Sequence, residues 1–162
     1  DETFDVISGS AGCIASLLSL YAVTPSTHVL DVAVQCGDHL LNHAQGMSTG
    51  VGWQSIHQQT PLTGFSHGAA GIALNLLRLA ATTSEERFRR TALEAMAFER
   101  SLFSESQQNW PDLRERLATD ARRGDQSEYE EYSFMMAWCH GAPGIGLARL
   151  ASLPYVLSLI HI

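Results

Sequence analysis

One pattern occurs three times in this chain and constrains its fold more than any other feature. A Gly-x-x-Gly pair opens an apolar stretch of about three helical turns in Gly9–Tyr21, Gly68–Ala80 and Gly141–Leu153. No stretch alternates β-branched and polar residues as strands do. The sequence therefore predicts an all-α fold of about three helical hairpins, each pairing a Gly-started inner helix with an amphipathic outer helix.

Two amphipathic patterns lie between the copies and predict the outer helices. Apolar residues recur at three- and four-residue spacing from Val29 to Ala44 and from Phe88 to Met96. Thr83 stands three residues before Glu86, which predicts a capping box at the start of the second of these helices. The Gly-x-x-Gly pair allows two arrangements of the first helical turn: close packing on a neighbouring backbone, or exposed N–H groups.

The composition fits one ordinary domain and excludes several classes of protein. The chain has 162 residues, 45% of them hydrophobic, and a net charge of −7, which disfavours nucleic-acid binding. No window reaches roughly 18 uninterrupted apolar residues and no secretory signal opens the chain, so we expect no membrane span. Its three cysteines predict free thiols in a reducing cytoplasm, with Cys13 and Cys36 buried in helices.

Two long polar segments, residues 47–66 and 104–136, separate the helices. Loops of that length are usually functional or mobile. The second contains an acidic run that would suit a cationic peptide, although a solvated loop is the simpler interpretation; the run comprises Glu128, Glu130 and Glu131.

Residues suited to catalysis stand shortly before each Gly pair. Asp5 precedes the first, His67 the second, and Cys139 with His140 the third. If the repeats surround a common axis, these turns project into one central region. Each residue also has a simpler interpretation. Asp5 would be an exposed acid at a helix N-terminus, His67 a surface-turn histidine, and Cys139 a buried thiol beside a solvated His140.

At these residues the chain resembles the lanthionine synthetase C-like family. The resemblance extends from Asp1 to about Leu153. The strings that carry it are FDVISGSAG, PLTGFSHGAAGIALNLLRLA, FERSLFSESQQNWPDLR and WCHGAPGIGLARL. They are similar to the C-terminal cyclase domain of class II, bifunctional lanthipeptide synthetases. The resemblance implies an α/α toroid, a double-layered helical barrel, of which residues 1–162 would form an incomplete arc. The N-terminal dehydratase region and the C-terminal part of the toroid would lie outside it.

The resemblance also implies a reaction and a site. The family joins cysteine thiols of a precursor peptide, which carries a leader, to dehydroalanine or dehydrobutyrine with the help of zinc. Its zinc-binding cysteine falls on Cys139, its catalytic histidine on His67 and its acid on Asp5, and His140 would stand beside the metal. The other two zinc ligands belong to a later Cys-His-Gly motif that this chain lacks, so we expect the chain alone to bind zinc weakly.

Two other classes of protein remain open at the level of the sequence. A glycosidase-like α/α barrel needs two carboxylates across a cleft, and only Asp5 stands in a suitable turn. A non-catalytic module that binds a peptide or a thiol would keep the fold without the chemistry. A downstream Cys-His-Gly motif in the natural protein would favour the cyclase.

Overall fold

The computed structural model describes residues 3–54, 60–114 and 132–156. These residues form five α-helices and one short antiparallel ribbon, which confirms the all-α prediction. The helices are α1 (Ser10–Val23), α2 (Thr27–Asn42), α3 (Ala69–Thr83), α4 (Glu86–Ser101) and α5 (Ala142–Val156), and the ribbon pairs β1 (Gln45–Gly46) with β2 (Val51–Gly52).

The helices form two layers. The three Gly-started helices pack side by side in the order α1, α3, α5, while α2 packs on α1 and α4 packs on α3. Helix α3 lies in the middle and buries most of its residues, whereas α1 and α5 each bury a single stripe. The predicted pairing of inner and outer helices is thus present in α1–α2 and α3–α4. None of the described helices combines the length and apolarity needed to cross a bilayer.

The glycine turns fold back onto the helices that they open. The first three N–H groups of α1 donate to the carbonyl groups of Thr3, Phe4 and Asp5 at 3.1–3.2 Å. The first two N–H groups of α3 donate in the same way to Leu62 and Thr63, at 2.8 and 3.1 Å. Because free N–H groups at a helix start need acceptors, this contact satisfies them without a ligand.

The second glycine of each pair makes this fold-back possible. A Cβ at Gly12, Gly71 or Gly144 would collide with the carbonyl group of the residue six positions upstream. The same close approach at the second glycine therefore recurs in all three copies, whereas the first glycine of the third pair, Gly141, differs in its left-handed conformation (φ 87°). Of the two arrangements that the pattern allows, the structure adopts close backbone packing.

The predicted capping box at Thr83 is wrong. Helix α4 begins at Glu86 with Glu85 as its N-cap and no side-chain cap hydrogen bond. Thr83 ends α3 instead, and its hydroxyl donates to the Leu79 carbonyl at 2.8 Å. Ser84 takes a left-handed conformation (φ 61°) that stops α3, so α4 starts too late for Thr83 to cap it.

The expected burial of the helical cysteines is also wrong for one of the two. Cys13 is exposed and Cys36 is half-buried. Helix α1 contributes only Ala11, Ile14 and Leu18 to the core, which leaves Cys13 outside its buried stripe. All three cysteines of the chain are free thiols.

The first part of the 104–136 segment is packed against the helices. Asn109 and Asp112 are buried, and the Trp110 indole N–H donates to the Glu99 carbonyl at 2.8 Å. In the 47–66 segment, Trp53 is buried in the main core. The acidic run Glu128, Glu130 and Glu131 lies outside the described residues.

Candidate active site

Backbone hydrogen bonds centred on Ser66 join the turns that precede α1, α3 and α5. The Val6 N–H donates to the Ser66 carbonyl at 3.0 Å, and the Ser66 N–H donates to the Cys139 carbonyl at 3.3 Å. Ser66 itself is 1% exposed. The expectation that these turns lie together is confirmed: the side chains of Asp5 and His67 meet there, next to the backbone of Cys139.

Asp5 and His67 form a hydrogen-bonded pair. His67 Nδ1 lies 2.7 Å from Asp5 Oδ2, and the other oxygen of Asp5 accepts the Ser8 N–H at 2.8 Å and the Ser8 hydroxyl at 3.3 Å. The Asp5 side chain is 14% exposed and that of His67 is 39% exposed. Because Nδ1 faces Asp5, Nε2 is the ring nitrogen that can exchange a proton with a bound molecule.

The environment of Asp5 keeps its carboxylate ionised. Burial on its own would raise the pKa of Asp5, but the hydrogen bonds from His67 and the Ser8 backbone, with the attraction of His67, outweigh it. The pKa of Asp5 therefore lies below its ordinary value. An ionised acid beside Nδ1 fixes the orientation of the imidazole.

His140 packs against His67 and is largely buried. The ring centroids are 5.8 Å apart with an interplanar angle of 23°, and His140 is 7% exposed. Burial lowers the pKa of His140, and repulsion by Arg114 lowers it further, whereas Asp112 acts in the opposite direction. His140 therefore favours the uncharged imidazole.

The carboxylates of this region do not suit a glycosidase. Arg114 binds both oxygens of Asp112 at 2.9 and 2.6 Å and lowers the pKa of that acid. Asp5 is held ionised as well. A glycosidase needs one carboxylic acid with a raised pKa to protonate the leaving group. Neither Asp5 nor Asp112 meets that requirement, and Glu99, a described acid whose pKa is raised, is fully buried, so these three residues give the glycosidase interpretation no support.

The side chain of Asn109 binds the backbone of the Cys139 turn, and the sequence analysis did not predict this contact. Its Oδ1 accepts the N–H of Ala142, the first residue of α5, at 2.7 Å. Its Nδ2 donates to the Met135 carbonyl at 3.0 Å. One buried amide thus fixes the backbone on both sides of Cys139. The only sequence signal was its place in the NWPD part of a family-like string.

A second missed interaction ties α5 to α4. Glu99 is fully buried, and its Oε1 accepts the Arg149 guanidinium at 2.6 and 3.1 Å. Its Oε2 has no partner among the described residues. Burial raises the pKa of Glu99 to about 7, although Arg149 acts against the rise. This pair sets the position of the helix that carries the Cys139 turn.

The donors of this region match zinc in type. Thiolate and imidazole are ligands that zinc prefers, and Cys139 and His140 supply one of each. Within residues 3–54, 60–114 and 132–156, however, no group of three His, Cys, Asp or Glu side chains is arranged to hold a metal ion. The described residues therefore contain no complete ligand set for a metal ion.

The fold and the site together define a class of protein: paired helices in two layers, with an Asp–His pair and a cysteine on adjoining glycine turns. The family model described as lanthionine synthetase C-like protein matches residues 1–158. The chain belongs to the lanthionine synthetase C-like family. A search of curated proteins finds no match to it.

Proposed function

We propose that this chain is the part of a lanthipeptide cyclase that carries its acid–base pair. The reaction adds a cysteine thiol of a peptide to a dehydroalanine or dehydrobutyrine and forms a thioether ring. Family membership supports the reaction class. The observation that carries the assignment to residues is the hydrogen-bonded Asp5–His67 pair beside the Cys139 turn.

His67 moves the proton in this proposal. The substrate thiol loses its proton, the sulfur bonds to the β-carbon, and the electron pair of the double bond becomes an enolate. A proton then reaches the α-carbon and restores the neutral peptide. An imidazole has a pKa near neutrality and can take and return this proton through Nε2. Asp5 holds Nδ1 and remains ionised, so it stabilises the imidazolium between the two transfers.

We further propose that Cys139 is a zinc ligand. A bound zinc ion would supply a lowered thiol pKa, so that a coordinated cysteine reacts as the thiolate. The remaining protein ligands would come from a later Cys-His-Gly motif of the natural protein. His140, packed on His67, would hold the ring of that histidine in its orientation beside the Cys139 turn.

The resemblance extends the proposal to the natural protein. We propose a class II synthetase in the cytoplasm that carries a dehydratase region and modifies a precursor peptide through its leader. In it, the two layers of helices would continue into the closed α/α toroid of the family. The acid–base pair would then face a central cavity.

The test is ring formation by the natural protein with Cys139→Ala. An unmodified precursor peptide is incubated with the natural protein, its loss of water is measured by mass spectrometry, and its remaining free thiols are counted by alkylation. We expect Cys139→Ala to abolish ring formation and leave dehydration intact. Cys36→Ala removes a thiol from α2, away from the site, and should form rings at the normal rate.

Two outcomes would contradict the proposal. Normal ring formation by Cys139→Ala would remove Cys139 from the chemistry. A natural protein that binds the dehydrated peptide but forms no rings would support a non-catalytic binding module instead.

A further inference from the structure

In the hairpin of α1 and α2, two cysteines lie at the same level along the helix axes. The helices run antiparallel through a short connection around Pro25. Cys13 lies twelve residues before Pro25 and Cys36 lies eleven residues after it. Since each helical residue advances the chain by about 1.5 Å, the two cysteines are almost level on the paired helices.

The two side chains face each other across this helix pair. Helices α1 and α2 pack against each other, and the side chain of Cys13 is a neighbour of the Cys36 thiol. Cys13 is exposed and Cys36 is half-buried. Burial and the neighbouring Cys13 both raise the pKa of Cys36. Cys13 is therefore the more accessible of the two thiols, and Cys36 stands directly behind it.

We propose that Cys13 and Cys36 form a reversible intrachain disulfide between α1 and α2 when the protein meets a small-molecule disulfide. The arrangement matches that of redox-responsive pairs, in which an accessible thiol stands next to a second, resolving thiol. The inference is independent of the proposed cyclase reaction, because neither cysteine belongs to the Asp5, His67 and Cys139 site. Helix α3 separates α1 from α5 and its Cys139 turn.

The chemistry is two successive exchanges. The Cys13 thiolate attacks one sulfur of the small-molecule disulfide, which forms a mixed disulfide and releases one small-molecule thiol. The Cys36 thiolate then attacks the Cys13 sulfur, and the second small-molecule thiol leaves. The protein loses two protons and two electrons, which the small-molecule disulfide takes up as it becomes two thiols.

The bond would fasten the first helical hairpin. It closes a loop of about twenty residues, which restricts the unfolded chain and stabilises the folded one. We expect the thermal midpoint of the oxidised chain to rise by roughly 5–10 °C. Dithiothreitol should return the midpoint to its starting value.

The experiment uses the 162-residue chain and oxidised glutathione. After oxidation the protein is digested without reduction, and the peptides are identified by mass spectrometry. We expect the Cys13 peptide linked to the Cys36 peptide in the wild type and in Cys139→Ser. In Cys36→Ser the reaction should stop at glutathione attached to Cys13.

Other products would overturn the inference. A wild type that retains glutathione on Cys13, as Cys36→Ser does, would show that Cys36 does not reach the mixed disulfide. A link between Cys139 and either helical cysteine would show that the α1–α2 pair is not the preferred one.

Discussion

Gly64 lies directly against the backbone of Cys139. A Cβ at residue 64 would come within 2.5 Å of the Cys139 carbonyl oxygen and within 3.1 Å of the His140 Cα. Both contacts are with backbone atoms, which cannot rotate away. The absence of a side chain at residue 64 therefore sets how closely the loop before His67 approaches the turn that carries Cys139.

Gly64→Ala should move the loop before His67 away from the turn that carries Cys139. We expect ring formation to fall by about 10- to 100-fold, because small misplacements of reacting groups have large effects on rate. The loss of stability should stay within about 1–3 kcal/mol. Ring formation by the natural protein and its thermal unfolding are the measurements. Gly46→Ala, where a Cβ would meet nothing within 4 Å, is the matched control. Equal activity of the two variants would show that this contact does not position the site.

Two glycines on α5 should respond in opposite directions to the same substitution. Gly144→Ala places a Cβ against the Trp138 carbonyl, whereas a Cβ at Gly146 meets nothing within 4 Å. We expect Gly144→Ala to destabilise the chain by about 1–3 kcal/mol. Gly146→Ala should stabilise it by about 0.5–1 kcal/mol, since alanine is the better helix former. Denaturant unfolding of both variants measures the difference, and a stabilising Gly144→Ala would disprove the fold-back at this turn.

Asp5→Asn should separate acid–base function from folding. The amide keeps the size of the side chain but cannot hold Nδ1 in its proton-donating form or stabilise an imidazolium. We expect ring formation to fall by about 10²–10⁴-fold with little loss of peptide binding. Asp31→Asn, an exposed acid on α2, is the control. If Asp5→Asn behaves like Asp31→Asn, the pair with His67 has no part in the reaction.

The lowered pKa of Asp5 also predicts that the free energy of unfolding depends on pH in the acid range. Its pKa is lower in the folded chain than in the unfolded one, so its contribution is fully present above the ordinary value of 3.8. That contribution is lost as the pH falls through the lower, folded value. Acid unfolding of Asp5→Asn should lack this component.

The raised pKa of Glu99 predicts that its contribution to the free energy of unfolding falls, instead of rising, with increasing pH. Its pKa rises from 4.5 to about 7 on folding, so the folded chain holds this proton more tightly than the unfolded one. Its contribution to the free energy of unfolding is therefore greatest below pH 4.5 and declines until about pH 7, by up to about 3 kcal/mol. Glu99→Gln should flatten this decline in urea titrations at several pH values. Glu94→Gln, exposed on the same helix, should retain it. An unchanged slope in Glu99→Gln would assign the pH dependence to other groups.

The sequence predicted the parts of the structure that depend on neighbouring residues. The three Gly-x-x-Gly turns and their helices followed from a repeated local requirement, since the second glycine must admit a carbonyl only six residues away. The meeting of Asp5 and His67, 62 residues apart, followed from the repetition of that turn. The predicted capping box failed because Ser84 ends α3 in a left-handed conformation that no spacing rule reveals.

The supporting contacts could not be predicted, because each joins residues that no local pattern relates. Asn109 acts on Ala142, 33 residues further along the chain. Glu99 meets Arg149 across 50 residues. Long-range partners of this kind depend on how α4 and α5 pack. That packing cannot be predicted from the local patterns of a single sequence.

The fold-back of the turns onto α1 and α3 has a consequence for transition-state stabilisation. Many enzymes build an oxyanion hole from amide groups at the start of a helix. Here the first amides of α1 and α3 already donate hydrogen bonds to carbonyl groups of the loops that precede these helices. The first amides of α1 and α3 are therefore not available to stabilise negative charge that develops on the carbonyl group of a bound molecule.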